Sequence, residues 1–183
     1  RGAGTEAHIP VAIHIVVTAN VRTVVNEVRF EGNADVADAD LRAAVALGPG
    51  SAFSTAAVAQ DRNAIELKYA NLGYQGASVE PKPVVSADGS RAEVVFVVRE
   101  GVRVFVDHIL IVGNSRTRTS IIERELRLAT GDPLGLDAVS ENQRRLAALG
   151  LFRRARITQL GRADEPRRDL LVSVEEAPLT TVG

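Results

Sequence analysis

The 183-residue sequence has no cysteine, no methionine and no tryptophan, and only 4% of its residues are aromatic. Without cysteine there are no disulfides and no thiolate metal sites, and the composition suits cytoplasm and an oxidising compartment equally. No apolar run approaches the ~18 residues of a helical membrane span, and 45% hydrophobic with 25% charged residues is the composition of a globular chain. A net charge of −1 argues against a nucleic-acid footprint spread over the whole molecule. The missing initiator methionine and a start in mid-pattern give the expectation of a piece of a longer protein.

What is present is a repeat. Val106-Asp107-His108-Ile109-Leu110-Ile111-Val112-Gly113-Asn114 follows the pattern of Val25-Asn26-Glu27-Val28-Arg29-Phe30-Glu31-Gly32-Asn33, 81 residues earlier. Each is a β-branched and aromatic run closed by Gly-Asn, a strand and its stop signal. The register holds through Leu41/Ile122, Val45/Leu126, Leu47/Leu128, Gly50/Gly131, Phe53/Leu134 and Val58/Val139, then slips by four residues before Gly73-Tyr74 and Gly150-Leu151. Two copies of one domain of roughly 80 residues are implied, each near the lower limit for a core of its own. The copies differ in charge. Residues 24–101 carry 7 basic and 11 acidic side chains, and residues 102–183 carry 13 and 11, so they face different partners or surroundings.

Within a copy the pattern predicts strand, helix, helix, strand, strand. In the first, Val28 and Phe30 share a face, Asp38 is placed to cap a helix burying Leu41, Ala44 and Val45, and Gly48-Pro49-Gly50 ends it. Ser54 is placed to cap a second helix with Val58, Ile65, Tyr69 and Leu72 on one stripe. Two strands joined through Asp88-Gly89 follow. The last, Val94 to Val98, is apolar on both faces and belongs in the middle of a sheet. The other carries Pro81 and Pro83, which only an edge strand tolerates. The second copy repeats this with a cap near Thr119, Ile122 and Leu126 buried, a helix bearing Val139, Leu146 and Leu149, and strands at 151–160 and 170–174. Val11 to Val17 alternates like a last strand, so residues 1–23 read as the end of a preceding copy plus a linker.

This order resembles the polypeptide-transport-associated (POTRA) domain. The resemblance rests on Gly-Asn after the first strand, Gly-x-x-Phe/Leu between the helices, Leu72-Gly73-Tyr74 or Leu149-Gly150-Leu151-Phe152 into the second strand, and Glu100 or Glu175-Glu176 closing the last. It covers essentially the whole chain. It implies an α+β fold of two consecutive β-α-α-β-β domains, 24–101 and 102–178, each a three-stranded mixed sheet covered by two antiparallel helices. The ending Val174-Glu175-Glu176-Ala177-Pro178 looks like the junction to the barrel in BamA-like outer-membrane assembly factors, with residues 179–183 starting that junction. The resemblance further implies a periplasmic, non-enzymatic module that binds unfolded outer-membrane clients and accessory assembly proteins beside a C-terminal β-barrel, with anionic lipid headgroups as a further contact. A KH-like nucleic-acid-binding pair is the alternative, since it shares the element order.

No constellation for catalysis or for a cofactor is visible. His8, His14 and His108 sit at no metal-ligand spacing, and no Ser nucleophile accompanies a His. Gly48-Pro49-Gly50-Ser51 lacks the Gly-Lys-Ser/Thr of a nucleotide loop and the Gly-x-x-Gly of a KH domain. The one basic cluster is Arg144-Arg145 with Arg153, Arg154 and Arg156, which reads either as a solvated face or as a contact for acidic or headgroup-proximal partners. The candidate pairing strand is Arg153, Arg154, Ala155, Arg156, Ile157, Thr158, Gln159 and Leu160, because it has no proline and keeps its donors, whereas pairing at the first copy's edge is expected to be weak. The alternative reading of Arg153, Arg154 and Arg156 is as gatekeepers that keep this edge unpaired.

Overall fold

A computed structural model describes residues 22–162 and 165–178. The expected strand at Val11–Val17 and the expected junction at 179–183 lie outside the described residues. The first copy is β1 (Val24–Glu31), α1 (Asp38–Arg42), α2 (Thr55–Asn71), β2 (Ser78–Val85) and β3 (Arg91–Arg99). The second is β4 (Phe105–Val112), α3 (Thr119–Glu125), α4 (Leu136–Ala148), β5 (Phe152–Leu160) and β6 (Arg167–Glu176). Two mixed sheets result, ordered β1-β3-β2 and β4-β6-β5, with the first pair in each parallel and the second antiparallel. The last strand of each copy is central, as its apolar run requires.

Each copy has its own core. Val28, Phe30, Leu41, Ile65, Tyr69 and Phe96 are buried in one, and Val106, Ile122, Leu134, Leu146 and Val172 in the other. The glycine of each Gly-Asn stop is dictated by packing. Gly32 and Gly113 have φ of 82° and 90°, and a Cβ on either would stand 2.3 or 2.0 Å from the carbonyl oxygen of Val98 or Val174. The four-residue slip has a simple cause: α2 has 17 residues and α4 has 13, so the second copy's long helix is about one turn shorter.

Several expected details differ. α1 ends at Arg42, so Val45 is partly buried beside the helix and not on it. Asp38 and Thr119 are the first helical residues after Ala37 and Arg118, neither of which caps through a side chain. Their side chains instead receive hydrogen bonds from Asn33 and Asn114, which brace the Gly-Asn turns. Leu126 follows α3 with extended ψ of 124° and is only partly buried. Ser54 does cap α2, accepting from the Ala57 N–H.

Two buried polar residues interrupt the apolar stripes. Asp61 of α2 accepts the N–H groups of Ala46 and Leu47, both at 2.8 Å. Its counterpart Asn142 accepts the N–H of Arg127 and donates to the Ala138 carbonyl. Each pins the chain leaving the short helix to the long one, so the buried polar atoms are satisfied.

Candidate functional site

A three-stranded sheet has two edges, and in each copy one of them is partly covered. The loop between the helices lies on the start of the first strand: Gly50 and Val25 are bonded through Gly50 N–H and Val25 C=O, and Val25 donates to Ser51. In the second copy Gly131 donates to Val106, which donates to Asp132. The other edges, β2 and β5, each run beside a long helix.

Hydrogen bonds from the helices fix which way the edge donors point. The N–H of Val79 donates to Glu66 Oε1 of α2 at 3.2 Å, away from β3. Backbone groups alternate sides along a strand, so positions 81 and 83 also face outward. Both are proline. Of the outward positions 79, 81, 83 and 85, the outer edge of β2 therefore has one donor engaged and two missing, which leaves only Val85 at the strand's end with its N–H. Pro81 pairs with Phe96 and Pro83 with Val94 without loss to the ladder.

On β5 the N–H of Ile157 donates to Gln143 Oε1 of α4, also at 3.2 Å. The N–H and C=O of Ala155 and Gln159 thus face outward with it, while Arg156, Thr158 and Leu160 bond to β6 opposite Ser173, Leu171 and Asp169. Side chains divide accordingly. Ala155, Ile157 and Gln159 turn toward the helix side, with Ile157 buried, and Arg154, Arg156, Thr158 and Leu160 are exposed on the other face. Arg153 is exposed at an irregularity in the ladder between Phe152 and Arg154. Beside this edge Val139, Gln143, Ala147 and Ala155 line a shallow groove, the counterpart of one bounded by Val58, Arg62, Pro81 and Pro83 in the first copy.

The basic cluster is largely paired. Arg144 meets Glu141 at 2.7 Å, Arg145 meets Glu125 at 2.9 Å, and Arg153 and Arg154 share Glu175 at 2.8 and 3.8 Å. The Arg153 hydrogen bond holds the Glu175 carboxyl below its usual range. Among the described residues Arg156 has no carboxylate partner, which leaves it the cation available on the exposed face of β5.

The closing glutamates are structural. Glu100 accepts the N–H of Asp35 and the hydroxyl of Tyr69, and burial followed by that bond pushes the Tyr69 hydroxyl well up. Glu176 accepts from Arg116 and Thr117. His108 is exposed on β4, as its alternation predicts, but it has a partner invisible in the sequence: Nδ1 lies 2.9 Å from Asp169 and 3.4 Å from Asp107. Ligand atoms of these three residues fall within 4.8 Å of one another. A guanidinium competes there, since Arg167 lies 3.4 Å from Asp107.

Comparison with known proteins agrees with this architecture. The POTRA family model, described as a surface antigen variable number repeat, matches residues 23–101 and again 104–177. The outer membrane protein assembly factor BamA of Neisseria meningitidis serogroup B is 25% identical over 152 residues, 82% of this chain and 19% of that protein. BamA of Nitratidesulfovibrio vulgaris is 29% identical over 108 residues, 59% of this chain and 14% of that one. The chain thus spans about a fifth or less of the length of these relatives. Among solved structures, BamA of Haemophilus ducreyi lacking POTRA domains 1–3 superposes with a TM-score of 0.62 at 21% identity, covering 87% of this chain and 29% of that one. POTRA domains 3–5 of Haemophilus influenzae BamA give 0.57 at 24%, over 84% and 61%. Those two likenesses show the fold, and the family match over both copies shows the rest: the chain belongs to the POTRA family, as two consecutive copies.

Proposed function

We propose that the chain is a non-enzymatic periplasmic module of an outer-membrane protein assembly or translocation barrel, and that it holds unfolded client segments by strand addition at β5. The observation that carries this is the contrast between the two outer edges. An extended client binds such an edge through main-chain hydrogen bonds, with little demand on its side chains, which suits a module that must take many barrel strands. β5 offers Ala155 and Gln159 with both backbone groups outward, and β2 offers prolines at the corresponding face. No described helix is long and apolar enough to cross a membrane. On this reading residues 1–23 and 179–183 connect to neighbouring modules, the latter toward a barrel of the same chain. Accessory proteins or anionic headgroups meet Arg156 and its neighbours, a contact that salt would weaken.

The rival KH-like reading finds no support in the loop it would use. The N–H groups of Gly48, Gly50 and Ser51 donate to Ser51, Val25 and Gly48, so the amides that could cradle a phosphate are spent within the fold.

The test is Gln159→Pro, which deletes one outward donor without touching the β6 ladder. Binding of an extended decapeptide alternating valine and threonine is followed by amide shifts. Loss of binding with the fold retained supports the assignment. Unchanged binding to Gln159→Pro, or shifts confined to β2, would show it to be wrong.

A further inference from the structure

The boundary between the copies supplies something the second copy lacks. α4 starts after Gly135, which has no side chain with which to cap it, whereas Ser54 caps α2. The cap comes from the other copy. Oδ1 of Asn71, the last residue of α2, accepts the N–H of Asp137 at 3.2 Å. Asp137 is the second residue of α4, a position whose N–H an N-cap side chain ordinarily takes. The same close approach forbids a cap from position 135 itself, because a Cβ there would stand 2.2 Å from the Asn71 carbonyl oxygen.

Other bonds cross the boundary. Gln75 Nε2 donates to the Leu134 carbonyl at 3.1 Å, and Val104 N–H donates to the Gly73 carbonyl at 2.9 Å. Arg103 Nε donates to the Leu72 carbonyl at 3.0 Å, and its guanidinium lies over the rings of Tyr74 and Phe105. The Gln75 side-chain oxygen accepts from Arg168 Nη1 at 2.8 Å, and the same nitrogen reaches Gln159 Oε1 on β5 at 3.0 Å. Both walls of the candidate groove therefore lead back to the first copy at the same end: the start of α4, the helix that carries Gln143, through Asn71, and the end of β5 through Gln75 and Arg168.

We propose that Asn71 and Gln75 are positioning residues for the strand-pairing groove of the second copy, so that the two copies form one binding unit. This rests on the client-binding reading of β5. Asn71 fixes where α4 begins and hence how Gln143 and Val139 stand over the edge, and Gln75 holds the Arg168–Gln159 contact on the strand beside that same end. Neither touches the client.

The experiment compares Asn71→Ala, Asn71→Asp and Gln75→Ala in the 183-residue chain. Amide hydrogen exchange is read in the first turn of α4 and along β5, and affinity for the valine–threonine decapeptide is read from the shifts of Ala155 and Gln159. Asn71→Ala should speed exchange at Asp137 about fivefold, leave the core amides of the first copy unchanged, and weaken the peptide severalfold. Asn71→Asp should restore both, since a carboxylate caps equally well, and Gln75→Ala should loosen Gln159 while sparing Asp137. Unchanged exchange at Asp137 in Asn71→Ala, or weakened binding that Asn71→Asp does not restore, would overturn the proposal. If the unaltered chain takes no peptide, the client reading fails, and exchange at Asp137 and Ile157 still decides whether Asn71 positions α4 and β5.

Discussion

The carboxylate of Glu176, at the end of β6, accepts both the backbone N–H and the Nε of Arg116, each at 2.9 Å and 60 residues away in sequence. It also takes the N–H of Thr117 at 2.6 Å, and so closes the Gly-Asn turn against the central strand. These bonds, the Arg116 side chain first, pull the Glu176 carboxyl from 4.5 down to about 2. A depressed carboxyl stabilises the fold at pH above its unfolded value, and that contribution is lost as pH falls through the folded value. The second copy should therefore lose stability between about pH 4.5 and 2. Glu176→Gln should flatten that dependence in urea unfolding monitored at the second copy.

The buried acceptors Asp61 and Asn142 give a second prediction. Asp61→Ala leaves the N–H groups of Ala46 and Leu47 without their partner, at roughly 1–3 kcal/mol for the buried Leu47 group and less for that of Ala46, an exposed residue that water can reach. Asp61→Asn retains one acceptor oxygen and should fall between Ala and the natural residue. Denaturant midpoints at constant slope measure the difference.

Glycine substitutions separate steric exclusion from backbone strain. Gly131 has φ of 91° and open space for 4 Å around where a Cβ would stand, so Gly131→Ala should cost about 1–2 kcal/mol from the left-handed backbone alone. Gly113→Ala adds a Cβ 2.0 Å from the Val174 oxygen. It must move the central strand or the turn, and its cost in thermal or urea unfolding should clearly exceed that of Gly131→Ala.

Core truncation shows where the sequence was legible and where it was not. Ile122 is fully buried, so Ile122→Ala should cost about 2–5 kcal/mol. Leu126, expected on the same helix face, lies beyond α3 and is half-buried, so its truncation should cost measurably less. The 81-residue repeat, the central strands and the proline-bearing edge followed from local pattern, because periodicity and proline act through the residues that carry them. The short helices did not. Beyond each short helix the chain is held by Asp61 or Asn142, polar residues of the long helix 15 positions from the Ala46 and Arg127 N–H groups they accept, and no local pattern announces that contact. For the candidate site, absence of proline distinguished β5. The occupation of Ile157 N–H by Gln143 and the cap lent by Asn71 are contacts between elements, with no local signature.

The last prediction reverses the difference between the two edges. If missing donors are what close β2, then Pro81→Val with Pro83→Thr should open it, since both positions face away from β3 and neither change disturbs the existing ladder. Val79 N–H stays engaged with Glu66, so the restored edge presents two new donors beside one already held, much as β5 presents Ala155 and Gln159 beside Ile157. The apolar side chains exposed nearby, Val84 at 65% and Val85 at 45%, would then flank a competent edge. Such an edge pairs with whatever strand is available. The doubly substituted chain should bind the valine–threonine decapeptide at the first copy, read as amide shifts at 79–85, or self-associate in sedimentation velocity with the same amides protected. An edge that remained inert after both prolines were removed would mean that its twist, or the Glu66 contact, and not the loss of donors, is what keeps it unpaired.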